Sequence, residues 1–200
     1  MKSWLIMVMV LFSSAVFADG RSSYALCASC HGSQGEGNVA TNSPALAGQE
    51  IWYLEAQINN FRKGRRGKHG DDIFGRQMQP MAMTLADDAA VKAVATYIAG
   101  FSKPPASTTI KGDAAAGKAR YMLCASCHGP DGKGIKARHG PGLLVQQDWY
   151  LVRQLQNFKK GIRGSDSKDI YGQQMRPMAM TLPDEKAVAD VVAYISSLAK

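Results

Sequence analysis

The chain of 200 residues is long enough for one large domain or two small ones, and 24 Lys and Arg residues against 16 Asp and Glu residues give it a formal net charge of +8. This length excludes a large multidomain enzyme. The hydrophobic fraction of 46% and the mean hydropathy of -0.19 exclude a polar disordered chain and a polytopic membrane protein, because apolar and charged residues are interspersed along most of the sequence.

Residues 1–18 have the pattern of a secretory signal peptide. Lys2 precedes an apolar run from Trp4 to Phe17, and the small residue Ala18 closes it. The run is short for a transmembrane helix, although an uncleaved anchor is the alternative. We therefore predict a mature chain that begins at Asp19 and is exported to the periplasm, where free thiols rarely persist. Loss of Lys2 lowers the formal net charge from +8 to +7.

An internal repeat covers nearly all of the remaining chain. A shift of 97 residues aligns 20–98 with 117–195 without a gap, and 42 of the 79 aligned positions are identical. We predict a first domain over 19–101, a linker over 102–112 that contains paired prolines, and a second domain over 113–200. The positive charge is uneven, because 19–103 holds 9 basic and 8 acidic residues and 104–200 holds 14 and 8.

Each copy reads as a series of helices. The first leads into a pair of cysteines, with Gly20 and Tyr24 at i and i+4 on one face. The second is amphipathic and stops at a glycine, and the third begins at a threonine with an acidic residue three positions later. No segment alternates as a strand does, so the sequence predicts two all-α domains. The second helix is predicted at Ile51 to Lys63 in the first copy and at Asp148 to Lys160 in the second. The third and last helix is predicted to begin at Thr84 in the first copy and at Thr181 in the second.

Both copies contain the pentapeptide Cys-Ala-Ser-Cys-His at the same place in the repeat. Two thiols one helical turn apart can add to the two vinyl groups of a haem, and the histidine that follows projects its imidazole at the iron. A redox-active Cys-x-x-Cys would need a thioredoxin-like context, and a four-cysteine zinc site would need closer pairs. We therefore predict two covalently bound haem c groups, held by Cys27, Cys30 and His31 and by Cys124, Cys127 and His128.

The other axial position of each iron has three methionine candidates. A Pro-containing segment that follows a glycine-rich stretch and begins 46 residues after each histidine carries three methionines, and we predict that it is a loop. Methionine is a soft ligand that favours ferrous iron, although isolated methionines are more often core residues. The residues alone do not choose among the three. They are Met78, Met81 and Met83 in the first copy, and Met175, Met178 and Met180 in the second.

The order of these motifs resembles a class I c-type cytochrome, and the tandem arrangement resembles the periplasmic dihaem cytochromes of the cytochrome c4 type. The resemblance rests on Gly-x-x-x-Tyr, Cys-x-x-Cys-His, Pro-x-Leu, the methionine segment and a last helix with a tyrosine, and it spans the mature chain. It implies that the first and last helices of each domain cross where Gly20 meets Tyr97 and Gly117 meets Tyr194. The first helix is shorter in copy one, so we expect its start to fray.

The resemblance also implies roles for two prolines and two methionines. Pro44 and Pro141 lie on the histidine side, where a backbone carbonyl orients the imidazole. The distance from the last helix favours Met78 and Met175 as the axial ligands, with Met81 and Met178 as runners-up.

The basic, glycine-rich segments 62–76 and 159–173 have three readings: contacts to haem propionates, guidance of an acidic partner, or a solvated loop. His69 and His139 have no histidine counterpart across the repeat, so we expect them at the surface.

The sequence favours a soluble electron carrier over an enzyme. Both copies keep the methionine segment, so neither iron needs an open position, and no large insertion supplies a substrate pocket. A net charge of +7 favours transient docking to acidic surfaces of respiratory redox partners, and an exported protein is not expected to bind nucleic acid. The alternatives are a dihaem peroxidase, a thiosulfate-oxidising dihaem enzyme, or a detached subunit of a larger complex.

Overall fold

The computed structural model describes residues 19–103 and 108–199, and its regular structure is helical. Four helices form the first domain: α1 (Gly20–His31), α2 (Ile51–Arg62), α3 (Ile73–Met83) and α4 (Asp88–Ala99). Four more form the second: α5 (Ala114–His128), α6 (Asp148–Lys159), α7 (Ile170–Met180) and α8 (Glu185–Ser197). Within the described residues the only β pairing is two isolated bridges, Asn38 with Ser43 and Ile135 with Gly140. The predicted signal peptide and residues 104–107 of the predicted linker lie outside the described residues.

The first and last helices of each domain cross at a glycine, as the resemblance implies. A Cβ on Gly20 would overlap the carbonyl of Ala93 and lie 2.9 Å from Cβ of Tyr97. Gly117 meets the Asp190 carbonyl and Tyr194 in the same way. Because real Cβ atoms do not approach backbone this closely, only glycine permits the crossing.

The start of α1 is held rather than frayed. The Asp19 carboxylate accepts hydrogen bonds from the backbone N–H groups of Arg21 (3.0 Å) and Ser22 (3.2 Å). This side-chain cap satisfies two of the four amides that a helix leaves open at its N-terminus. The first helix is three residues shorter than α5, but its first turn is intact.

The core of each domain is built where these helices pack together. Residues of α4 contribute Val91, Val94, Ala95 and Ile98, all at most 1% exposed, against Tyr24 and Leu54. The second domain repeats this with α8 packed against Tyr121 and Leu151. The buried stripe at helical spacing gives each copy its own hydrophobic core.

The sequence prediction for the methionine segments was wrong in its secondary structure. They form α3 and α7, which the side chains of Asp72 and Asp169 cap by accepting from Gly75 N (3.0 Å) and Gly172 N (3.1 Å). Pro80 lies near the end of α3, so its missing N–H removes one hydrogen bond and the helix continues. Capping and tertiary packing therefore outweigh the low helix propensity of glycine and proline.

The last helix of each domain begins later than predicted. Thr84 and Thr181 end α3 and α7, and the N-caps of α4 and α8 are Asp87 and Asp184. Each aspartate accepts a hydrogen bond from the amide three residues on, at 2.8 and 2.7 Å. Pro183 consequently lies before the cap rather than in the first turn.

Candidate functional site

Among the described residues, a cavity lies beside the cysteine pair of each domain. The first measures about 590 Å³ and the second about 580 Å³, a size typical of sites for large organic ligands. Cys27, Cys30 and His31 line the first cavity, and Cys124 and His128 line the second. Residues of the opposite domain close one side of each, so the cavities meet at the boundary between the two domains.

The histidine of each motif is buried and oriented by a backbone carbonyl. His31 and His128 are 7% and 6% exposed, and in each the Nδ1 atom lies 2.8 Å from a carbonyl oxygen, that of Pro44 or Pro141. A carbonyl only accepts, so Nδ1 must carry the proton and Nε2 keeps its lone pair. Burial lowers the pKa of both imidazoles, against an opposing effect of the carbonyl bond. Both rings are thus neutral and ready to ligate a metal through Nε2.

The hydroxyl of a core tyrosine fixes the turn that follows each histidine. Tyr24 donates to the carbonyl of Gly32 at 2.6 Å, and Tyr121 donates to Gly129 at 2.8 Å. Burial raises the pKa of Tyr24 to about 12, so its proton is retained for this bond. The same cause raises the pKa of Tyr121. The helix carrying the cysteines is therefore tied to the loop that carries the orienting proline.

The methionines of each trio have different surroundings. Met78 and Met81 line the first cavity, and Met175 lines the second. Met83 and Met180 are 61% and 63% exposed and do not line the described cavities. Helical spacing explains this difference. Met78 and Met81 are three residues apart and share a face of α3, whereas Met83 is five residues from Met78 and does not share that face. This geometry excludes Met83 and Met180 as candidates for the axial position. The sequence prediction could not exclude them, because it placed each trio in a loop.

Two buried arginines, which sequence analysis left among the basic loops, lie where the domains meet. Arg66 and Arg163 are each 8% exposed. Arg66 donates to Oε1 of Gln57 (2.8 Å) and Gln154 (3.4 Å), and Arg163 donates to the same two atoms at 3.0 and 2.8 Å. The four side chains form a ring across the boundary. The readings of these residues as a solvated loop or a partner-guiding surface are therefore wrong for Arg66 and Arg163.

This ring fits the carboxylates of a bound haem. Among the described residues neither arginine forms an ion pair with a carboxylate, and the Nε atoms of both, with Nε1 of Trp52 and Trp149, are buried without a hydrogen-bond partner. Buried charges and donors are costly unless an acceptor meets them. Haem propionates supply such acceptors, and Arg66 lines the first cavity while Arg163 lines the second. The sequence signal for this cluster is that the same Trp, Gln and Arg residues occur at equivalent positions in both copies of the repeat.

The two unmatched histidines are at the surface, as expected. His69 and His139 are both exposed, although His139 also borders the second cavity and bonds to Tyr171. None of the four cysteines is in a disulfide, and burial raises the pKa of Cys27 and Cys124. The thiols are therefore free for covalent attachment of a cofactor.

Comparison with known proteins identifies the two domains. The sequence profile of the family described as "Cytochrome c" matches residues 17–102 and again 114–199. The chain belongs to the cytochrome c family. It is 32% identical to the "Thiosulfate dehydrogenase electron acceptor" of Stutzerimonas stutzeri (strain A1501) over 94% of this chain and 91% of that protein. It is 31% identical to "Cytochrome c4" of Pseudomonas aeruginosa over 90% and 88% of the two chains.

A solved structure gives the same result for the fold. The structure of cytochrome c4 from Acidithiobacillus ferrooxidans superposes with a TM-score of 0.71 and 31% identity, covering 87% of this chain and 99% of that one. The protein is thus a dihaem cytochrome of the cytochrome c4 type with two tandem all-α domains, as predicted. Two covalently bound haem c groups are its cofactors, and Cys27, Cys30, Cys124 and Cys127 fit their attachment. Its similarity to proteins named cytochrome c4 supports an electron-carrier cytochrome.

Within residues 19–103 and 108–199, none of the helices has the length and apolar character needed to span a membrane.

Proposed function

We propose that this dihaem cytochrome shuttles electrons in the periplasm between respiratory redox proteins, with both irons closed by His/Met ligation. His31 and Met78 would ligate the first iron, and His128 and Met175 the second. The observation that carries the proposal is that each cavity holds a buried, neutral, carbonyl-bonded histidine and a cavity-lining methionine. Each haem, when bound, takes up and releases one electron, and a neutral thioether ligand favours the ferrous form.

The chain itself supplies orientation and burial. The carbonyls of Pro44 and Pro141 hold the histidine rings in one tautomer, and α3 and α7 bring the methionines to the same cavities. The ring of Arg66, Arg163, Gln57 and Gln154 would neutralise propionates of both haems where the domains meet. An electron carrier needs no substrate pocket in addition to its haem cavities, because its redox partners exchange electrons with the haems across the protein surface.

The far-red absorbance of the oxidised protein tests the ligation. The methionine-sulfur to ferric-iron charge-transfer band, scaled to the haem count from an alkaline pyridine assay, is expected to correspond to two methionine-ligated haems. The rival hypothesis is an enzyme with one open haem, of the thiosulfate-oxidising or peroxidase type. A band of half the expected intensity would reject the carrier proposal and would direct assays to peroxide and sulfur substrates.

We also propose an order of domains and partners. Residues 1–18 would be removed on export, and 102–112 would link domains at 19–101 and 113–200. One relative is named as the electron acceptor of a thiosulfate dehydrogenase. This similarity favours, as the electron donor of this cytochrome, an enzyme that oxidises an inorganic sulfur compound. The formal charge of +7 on the mature chain favours acidic docking surfaces on its partners, through short-lived contacts.

The charge predicts a dependence on ionic strength. The rate of electron exchange with an acidic redox protein is expected to fall as salt rises from about 10 mM to 150 mM, because the Debye length shortens from about 30 to 8 Å and steering weakens. Stopped-flow absorbance measures this rate. Reduction by an uncharged small molecule is the control and should not change. A salt-independent rate with the acidic protein would reject acidic docking while leaving the ligation proposal intact.

A further inference from the structure

The two loops that orient the axial histidines share an unusual backbone conformation. Asn42 and His139 occupy equivalent positions in the repeat, and within the described residues they are the only non-glycine residues with positive φ, at 57° and 53°. Each lies two residues before the proline whose carbonyl bonds to His31 or His128. A left-handed conformation costs a non-glycine residue roughly 1 kcal/mol, so neighbouring contacts must hold these loops in place.

In the first domain, the side chain that contacts the residue of positive φ comes from the second domain. Arg153 of α6 donates from Nη2 to Oδ1 of Asn42 (2.6 Å) and from Nη1 to its carbonyl oxygen (3.4 Å). The guanidinium stacks on Phe74, 4.3 Å from the ring centroid, and on Trp149 at 4.9 Å. Stacking and two donors fix the guanidinium in one orientation, which a lysine ammonium does not reproduce.

In the second domain, the residue of positive φ is held by a side chain of its own domain. Nε2 of His139 lies 2.8 Å from the hydroxyl of Tyr171, and the two rings stack with centroids 3.9 Å apart. Tyr171 stands where the first copy has Phe74, and Ala56 stands where the second has Arg153. The first domain adds the edge of Trp52, at 6.1 Å from His139, and Gln49 and Glu50 form hydrogen bonds of 3.3 to 3.5 Å to the backbone of Gly142. The two haem sites therefore differ in which domain contacts the residue of positive φ.

We propose that Arg153 is a positioning residue for the axial histidine of the first haem, acting from the opposite domain through Asn42 and the Pro44 carbonyl. The inference rests on the proposed role of His31 as an axial ligand. A well-placed carbonyl raises the basicity of the imidazole and thereby stabilises ferric iron. Loosening the loop should therefore raise the reduction potential of the first haem. Simple removal of a positive charge would lower it, so the sign of the change separates the two effects.

The test is to replace Arg153 with Leu, which removes charge and contacts, and with Lys, which keeps the charge. Redox titration followed by NMR resolves the two haems through contacts to domain-specific side chains. Arg153→Lys is expected to raise the potential of the first haem and to leave the second unchanged, and Arg153→Leu is expected to raise it less, because the lost charge opposes the effect of the loosened loop. In both variants the Nδ1 proton of His31 should exchange with solvent roughly tenfold faster, the factor for loss of one charge-assisted hydrogen bond.

Two controls address charge and domain. Lys160→Leu removes one positive charge from the end of the same helix without contact to Asn42, and it should leave His31 proton exchange unchanged. Tyr171→Phe gives the second copy the ring of the first and should speed proton exchange at His128 only. Asn42→Ala removes the side-chain acceptor on the other side of the contact and keeps every charge, so it should reproduce the Arg153→Lys effect, with no further change in the Asn42→Ala/Arg153→Lys double variant.

The opposite outcomes overturn the inference. A lower potential in Arg153→Leu with wild-type behaviour in Arg153→Lys would show that Arg153 acts only through its charge. Equal changes at both haems would show a general loss of domain packing. A His31 ring proton without paramagnetic shift in the oxidised wild-type protein would reject His31 ligation itself, and thus the proposed function rather than the role of Arg153.

Discussion

Met78→Ala and Met175→Ala are each expected to remove half of the far-red charge-transfer band and to convert one of the two haems to a high-spin or misligated form. The reason is placement, because each methionine lines the cavity that holds the motif histidine of its domain. Alanine is too short to reach the iron and offers no donor atom. Absorbance in the far red and electron paramagnetic resonance of the oxidised protein measure the loss.

Matched controls come from the same helices. Met83→Ala and Met180→Ala remove a thioether that is more than half exposed and lies outside the described cavities, so both variants should keep the full band. Met81 also lines the first cavity and is the runner-up there, with Met178 its equivalent in the second domain. Loss of the band in Met81→Ala with its retention in Met78→Ala would assign the ligand to the runner-up position.

Gly117→Ala is expected to destabilise the second domain by about 3 kcal/mol, the upper end of the usual cost of overpacking. The added methyl group would overlap the Asp190 carbonyl oxygen and lie 3.0 Å from Cβ of Tyr194, and both belong to the helix that α5 crosses. Backbone cannot yield as a flexible side chain does, so α5 and α8 must move apart and the core between them loses contacts. Guanidinium unfolding of the haem-loaded protein, followed by circular dichroism, measures the shift in midpoint.

Gly70→Ala is the control for this substitution. No atom lies within 4 Å of a Cβ built at Gly70, and its φ is not in the left-handed region, so its stability should change by less than about 0.5 kcal/mol. A Gly117→Ala protein with wild-type stability would show that the crossing adjusts without cost, and the role assigned to the two glycines would then be wrong.

The local sequence determined the chemistry and the helical architecture. Cys-Ala-Ser-Cys-His places both thiols and the imidazole within one and a half turns of a single helix, so the attachment site needs no long-range contact to be recognised. The buried stripe of Val91, Val94 and Ile98 follows from helical spacing alone. Each prediction for the first copy then applies to the second copy 97 residues later, because two copies of one sequence form two copies of one domain.

Helix boundaries and side-chain partners depended on tertiary structure. Glycine and proline suggested a loop around Met78 and Met81, yet the cap from Asp72 and the packing of α3 keep the segment helical. The same helix turns Met83 outward, which spacing in a presumed loop did not reveal. Local helix propensity contributes less free energy than burial and capping do. A prediction from propensity therefore misplaced these elements.

The contacts between the domains were beyond local reasoning altogether. Arg66 and Arg163 read as loop charges in the sequence, and only the meeting of the two domains buries them against Gln57 and Gln154. Arg153 reaches Asn42 across 111 positions of the chain, a separation at which no periodicity or motif carries information. The sequence by itself determined what each domain is and which cofactor it binds, whereas the packing of one domain on the other decided which charges are buried and which residues hold each histidine loop.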